Sequence, residues 1–523
     1  MITGSRYVYT LNKRGTRYCD NNFFILYHSV TKVREIEILE FNNTFAKLGD
    51  KFFTKVAPKG LLDPCVVNIN MAGLNMLGIP SEQIDSKAKI PLWLMGLCSG
   101  NQLPKGCDPL AMIYSGHQFG GYSPELGDGR GMLIGEVEGP LGKWDIHLKG
   151  AGKTPYSRFG DGRSVLRSTI REYLCSEAMH ALGINTTRAI SIFSNEEPVY
   201  RERIERAALL VRLAKSHIRF GSFEYFHHTR QYKCVKKLAD YIIDQHFSMF
   251  KKNDDRYLQM FRCMVHKTAE MIAKWQSVGF SHGVMNTDNM SILGETLDYG
   301  PFGFMDNYNP NFICNHSDSN GRYSFKNQPS IGLWNCNALA TALTSLLSSE
   351  KLKLILDEYQ PVFLNTLLKL YRQKLGLEAS EEGDQNLIDE LLGILEVNEV
   401  DYTIFFRRLC FFESNGNHKH LKELLIKQNA LDEWVRKYQD RLLGEPQNDK
   451  ERRNKMIQHN PKYILRNYMA EIAIQKAEDD KDYSEISRIL KLLQSPHDEN
   501  PECEEYAKHP PQWSKKITVS CSS

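Results

Sequence analysis

The sequence predicts an α+β fold on three observations. Trp144–Lys149 alternates as a strand does, with Trp144, Ile146 and Leu148 on one face and Asp145, His147 and Lys149 on the other. Phe261, Met264, Val265, Thr268, Ile272 and Trp275 fall on a single stripe of a helix over Leu258–Val278, which Gly279 ends. Beyond about Leu333 the spacing is mostly helical, clearest over Lys351–Leu375 and Tyr463–Glu478. The chain is long enough for two or three domains, with 523 residues, 41% hydrophobic and 25% charged, and wholesale disorder is excluded.

In chain order, the first 34 residues carry Arg6, Lys13, Arg14, Arg17, Lys32 and Arg34 against one acid, Asp20. A basic, acid-poor leader over 1–40 suits an organelle transit peptide, although a serine-rich composition is missing, and an untidy N-terminus reads equally well. Phe41–Pro80 mixes apolar and turn residues without a period. Gly120, Gly121, Gly127, Gly129 and Gly131 then make a glycine-dense stretch. Met132–Val137 reads as a strand, turning through Gly139–Gly142 into the Trp144–Lys149 strand. Ser164–Leu182 has helical spacing and stops at Gly183. Ser281–Asp306 is rich in Asn, Asp and Gly, while Glu378–Gln385 and Gly444–Lys450 read as exposed linkers.

Lys+Arg 66 against Asp+Glu 63 gives +3, which argues against a nucleic-acid binder needing a concentrated basic surface. The Ile90–Cys98 stretch is too short to span a membrane. The 12 cysteines show no Cys-x-x-Cys spacing and the 16 histidines no His-x-x-x-His, which speaks against a structural zinc site. Such scatter suits a reducing compartment.

Phosphoryl-transfer chemistry of the kinase type needs a carboxylate for the attacking hydroxyl, plus an Asn and a second Asp to hold Mg²⁺. His282 and Asn289 match the His-Arg-Asp-Leu-x-x-x-Asn signature, and Asp298-Tyr299-Gly300 stands in place of Asp-Phe-Gly. Val284 occupies the catalytic aspartate's position and cannot accept a proton. Asp288 offers a carboxylate further along the loop, although Asn286, Asp288 and Asn289 also suit plain turns. Upstream, Gly127-Asp128-Gly129-Arg130-Gly131 lets backbone N–H groups approach phosphates, Lys149 can reach them from its strand, and Glu172 on the next helix can hold that lysine. Arg212 and Arg219 suit a polyphosphate tail, or are two surface cations. Asp161-Gly162, inside a second Gly-Asp-Gly-Arg, reads as an ordinary turn or as a loop closing over nucleotide. Each group has an ordinary structural explanation by itself, but chance supplies their order poorly; it resembles the order in protein kinases, and that resemblance implies a protein-kinase-like two-lobed fold, here with a mainly helical C-terminal extension.

Gly127–Glu136, His147–Arg163, His282–Asp306 and the ending from Pro510–Trp513 through Val519–Ser523 resemble selenoprotein O, the SelO protein adenylyltransferases, from about Phe41 onward. The resemblance implies a kinase-like fold without the usual catalytic aspartate, binding ATP back to front and moving AMP to Ser, Thr or Tyr hydroxyls of other proteins. By resemblance, Gly127, Gly129, Arg130, Asp161 and Gly162 line the nucleotide site. Lys149 meets the phosphates and pairs with Glu172, and Arg212 and Arg219 hold the far phosphates. Asp288 accepts the proton, and Asn289 and Asp298 bind Mg²⁺, or Mn²⁺. The implied domains are the leader 1–40, an N-terminal lobe 41–230, a C-terminal lobe 231–345 and a helical region 346–523. Some family members end in Cys-x-x-selenocysteine; here those positions are Thr518 and Cys521, so that redox pair is missing. Eukaryotic members are typically mitochondrial, which makes mitochondrial the expected location. The expected partners are ATP and hydroxyl-bearing protein substrates, with no nucleic acid and no membrane span. A kinase moving the γ-phosphate, a protein uridylyltransferase and an inactive pseudokinase scaffold are the alternatives.

Overall fold

The computed structural model describes residues 39–80, 84, 90–416, 418–427 and 429–520. The basic leader up to residue 38 and Cys521 lie outside the described residues.

Among the described residues nine strands form one sheet, and their pairings are antiparallel. Its main path runs Phe53–Lys55, Leu110–Met112, Gly131–Gly139, Gly142–Lys149, Ile204–Ala214, Arg188–Tyr200 and Cys65–Ile69. The expected hairpin is present, with Gly139 opposite Gly142 and a register shift between Leu133 and Gly135. The alternation seen in the sequence sorts side chains as expected. Trp144, Ile146 and Leu148 join Leu209, Val211 and Leu213 in an apolar core against Leu94 and Leu97 of the Leu92–Ser99 helix. Leu133, Ala208 and Leu210 point the other way, toward Leu166, Ile170 and Tyr173 of the Leu166–Ala181 helix.

The polar face of the Gly142–Lys149 strand is not solvated. Asp145 and His147 are buried, Asp145 accepts the His217 backbone N–H at 3.0 Å, and the His147 ring stacks on His217 at 4.5 Å. The helix expected from Ser164 begins at Leu166, because Ser164–Val165 pairs with the Ile204–Ala214 strand. Tertiary pairing overrides the helical spacing there.

The remainder is mainly helical. Arg256–Ser277 runs as expected into Gly279, whose φ of +70° suits a residue without Cβ. Lys351–Leu375 is two helices, Ser349–Leu356 and Tyr359–Leu375, and the helix expected from Tyr463 starts at Asn467. Asp384–Val397, Tyr402–Leu409 and Asn429–Leu442 enclose their own core around Leu391, Phe405 and Trp434. Asn467–Asp479 and Ser484–Leu493 turn back and pack on the Leu166–Ala181 helix. Arg466 anchors that return, buried between Asp306 at 2.5 Å and Asp401 at 2.9 Å. Among the described residues no helix is long and apolar enough to cross a membrane.

Candidate active site

Between the sheet and the helices lies a cavity of about 530 Å³. Gly127, Gly129, Arg130, Lys149, Asp161, Gly162, Arg212, Arg219, Asp288, Asn289 and Asp298 all line it, so residues more than 170 positions apart in sequence meet on one surface. Glu172 stands just behind.

The glycine-rich loop is tied down from below. Asp128 is buried and accepts from the Met112 N–H at 3.0 Å and the Tyr114 hydroxyl at 3.3 Å. Thr154 donates to the Asp128 carbonyl at 2.7 Å and Ser157 to the Gly129 carbonyl, strapping the following loop onto this one. Gly127 has φ +69°, and a Cβ there would run into the Tyr156 ring. Here glycine is a steric requirement. Asp161 sits at the rim with its carboxylate engaged by Arg201 at 2.8 and 2.9 Å and by the Arg163 N–H at 2.8 Å.

The strand periodicity places Lys149 and Arg212 on the face that meets the Leu166–Ala181 helix. Lys149 Nζ lies 2.5 Å from Glu172 Oε2, and Arg212 bonds the other oxygen of that carboxylate. Arg212 also lies 2.7 Å from Asp298 Oδ1, while Arg219 reaches Asp298 Oδ2 at 2.5 Å and the Asp288 carbonyl at 2.6 Å. Both arginines are buried, so the reading of surface cations does not hold. Three cations face two carboxylates, Glu172 and Asp298, which leaves one positive charge in excess on the cavity wall. Burial alone would raise Asp298, yet Arg219, Arg212 and Lys149 hold it well below the usual carboxylate range. Lys149 is pulled down to about 8 by burial and by Arg212, against the pull of Glu172.

Asp288 faces the cavity from the Thr287–Asn289 turn, and burial pushes its carboxyl up to about 7, opposed by Arg219. Gln118 Nε2 donates to its Oδ2 at 3.3 Å, and Oδ1 is sealed without a hydrogen-bond partner. Val284 lines the same cavity. His282 is a buried strut, bonding the Leu297 carbonyl at 2.9 Å. Asn286 is also structural: its Oδ1 accepts from the Tyr323 hydroxyl at 2.6 Å and the Phe119 N–H at 3.2 Å.

Sequence reasoning missed Gln118, Tyr114 and Arg201. Gln118 belongs to the hairpin of strands Gly116–Gln118 and Gly121–Ser123, three residues each and too short to show a period. Gly120 and Gly121 were a visible turn signal, but nothing local says that the hairpin docks on Asp288.

The donors present suit a hard divalent cation. The Asn289 amide nitrogen is committed to the Val284 carbonyl at 3.0 Å, which leaves its oxygen available, and Asp298, kept ionised between Arg212 and Arg219, lines the same cavity.

Comparison with known proteins agrees with this geometry. The family model described as protein adenylyltransferase SelO matches residues 35–494. That match begins at the end of the basic leader and stops short of the 510–523 ending. The chain is 47% identical to the protein nucleotidyltransferase YdiU of Myxococcus xanthus over 491 residues, covering 93% of this chain and 99% of that one. It is 48% identical to the protein of the same name from Thiobacillus denitrificans over 491 residues, covering 93% and 99%. The Pseudomonas fluorescens (strain Pf0-1) protein of that name is 47% identical over 493 residues, covering 94% and 100%. Likeness over nearly the whole length, around a cavity that gathers the glycine loop, the lysine–glutamate pair and the Asn and Asp donors, settles the family: the chain belongs to SelO and is a nucleotidyltransferase.

Proposed function

We propose that this chain moves AMP from ATP to Ser, Thr or Tyr hydroxyls of other proteins, on a two-lobed kinase-like framework. One observation carries the reading. The position of a kinase's base is Val284, whereas the carboxylate poised near neutrality is Asp288, in the same cavity as Lys149, Arg212 and Arg219 and touched by Arg219 at its backbone carbonyl. A triphosphate tail seated on those three cations leaves its α-phosphorus toward Asp288. The incoming hydroxyl oxygen bonds to that phosphorus as the α–β anhydride bond breaks. Asp288 takes the hydroxyl proton, and pyrophosphate leaves with the bonding electrons. Lys149, Arg212 and Arg219 offer fixed positive charge where the pyrophosphate charge grows, in a site that needs no solvent reorganisation. Glu172 keeps Lys149 aimed. Asn289 and Asp298 would hold Mg²⁺ or Mn²⁺, which when bound neutralises phosphate charge.

Incubating the protein with a hydroxyl-bearing target and ATP labelled at either the α- or the γ-phosphate tests this. Label is expected on the target from the α position alone. Label from the γ position would make it a kinase, and stronger labelling from α-labelled UTP would make it a uridylyltransferase. The basic first 34 residues support our further proposal of mitochondrial import. A fluorescent protein fused behind residues 1–40 should then enter mitochondria, and a diffuse signal would refute it.

A further inference from the structure

A second set of ligating side chains lies behind the catalytic loop, outside the nucleotide cavity. His117, Glu224 and His228 bring one ligand atom each within 4.8 Å of one another. Glu224 and His228 are four residues apart on the Phe220–His228 helix and so share a face; His117 comes from the Gly116–Gln118 strand.

A hydrogen-bonded pair explains only part of this arrangement. His117 Nδ1 is 2.5 Å from Glu224 Oε2, which accounts for one oxygen. The other, Oε1, is sealed from solvent without a hydrogen bond of standard geometry; burial raises the Glu224 carboxyl, and the nearby Thr287 hydroxyl and His117 only partly oppose that. Glu224 is itself 0% exposed. A sealed, half-satisfied carboxylate is expensive unless something compensates it. The second imidazole converges on the same point, its ring held against Tyr122 at 4.2 Å. His228 is exposed, which leaves an entry path from solvent.

We propose that His117, Glu224 and His228 form a binding site for a borderline transition-metal ion of the Zn²⁺ class, distinct from the nucleotide's cation. Two imidazole nitrogens and one carboxylate oxygen are a donor set for such ions, with a water completing the tetrahedron. Mg²⁺, which prefers an all-oxygen shell, is poorly served. No ligand spacing betrays the set in sequence, because it is Glu-x-x-x-His on one helix with its third member over 100 residues away. The ion would cross-link the 116–123 hairpin to the helix. The same hairpin places Gln118 on Asp288, and the His117 N–H on the Thr287 hydroxyl at 2.7 Å, so the metal would stiffen one wall of the reaction site. The site stands apart from the reading of AMP transfer.

The test uses the nucleotide-free full chain, equilibrated with Zn²⁺ in excess Mg²⁺ and assayed for bound metal by mass spectrometry, with Co²⁺ as an absorbing substitute. Wild type should retain one more zinc per chain than His228→Ala and show a tetrahedral Co²⁺ spectrum. Loss of this ligand should weaken binding at the site by about tenfold or more. His228 is exposed, so its loss should leave the fold intact, and circular dichroism confirms that. Glu224→Gln, which keeps the shape, should lose the same zinc. Equal zinc content in wild type and both variants, or displacement of the zinc by Mg²⁺, would overturn the proposal.

Discussion

Asp288 and Asp298 are ten residues apart and oppositely tuned, and the difference follows from their neighbours. Asp298 lies between two guanidinium groups and stays ionised. Asp288 touches Arg219 only through its backbone carbonyl, so burial dominates and its carboxyl rises to about 7. The one can hold a cation, the other can take a proton. Asp288→Ala should therefore slow transfer by about 10²–10⁴-fold while nucleotide affinity, measured by calorimetry, changes little. Collapse of binding in that variant would make Asp288 a ligand-holding group. Asp298→Asn should be costly twice over. It leaves Arg212 and Arg219 short of a counterion, a loss of roughly 3–5 kcal/mol by analogy with broken buried pairs, visible in thermal unfolding. It should also remove the metal dependence of nucleotide binding.

Among the elements, the short 116–123 hairpin lies directly against Asp288. A Cβ on Gly116 would lie 2.5 Å from Asp288 Oδ1 and 2.9 Å from its Cβ, so Gly116→Ala must push the acid aside. A displacement near 1 Å should lower transfer by about 10²-fold, with the unfolding temperature moving far less than for Asp298→Asn; unchanged transfer would show that the position of Asp288 is not critical. The hairpin and the glycine loop also show what a sequence discloses. Gly127–Gly131, the Gly139–Gly142 turn and the face carrying Lys149 were legible because each is local, a turn residue or a period of two. The contacts of Gln118 with Asp288 and of Asp161 with Arg201 were not, because they join segments that only the folded sheet brings together. Ser164 was misread for the same reason: its strand partner is Ala208, 44 residues on.

At the scale of the whole molecule, the helical C-terminal region braces the site from behind. Asn467–Asp479 and Ser484–Leu493 cover the helix that carries Glu172, and Arg171 of that helix donates to the Phe302 carbonyl at 2.9 Å and to Asn467 at 3.1 Å. The same region holds a destabilising group. Lys374 is buried over the Phe406 ring at 4.4 Å, and burial pulls its amine down from 10.5 to about 7. Because the folded value is the lower one, the unfolded chain binds the extra proton between those two values, and stability climbs with pH across that window. Lys374→Met lacks this dependence. It should be more stable than wild type by roughly 1–4 kcal/mol near neutrality, with the gap in unfolding temperature narrowing toward pH 10; a constant gap would show that the amine stays charged. The region's role as a brace was invisible in sequence because its helices carry no chemistry, only apolar faces whose partners lie elsewhere in the chain.

The account rests on the direction in which the triphosphate enters. A crystal structure with a non-hydrolysable ATP analogue and Mg²⁺ tests that directly. The β- and γ-phosphates should lie against Lys149, Arg212 and Arg219, with the α-phosphorus facing Asp288 and the base toward the mouth. A base buried at the back, with the γ-phosphorus nearest the opening, would contradict it.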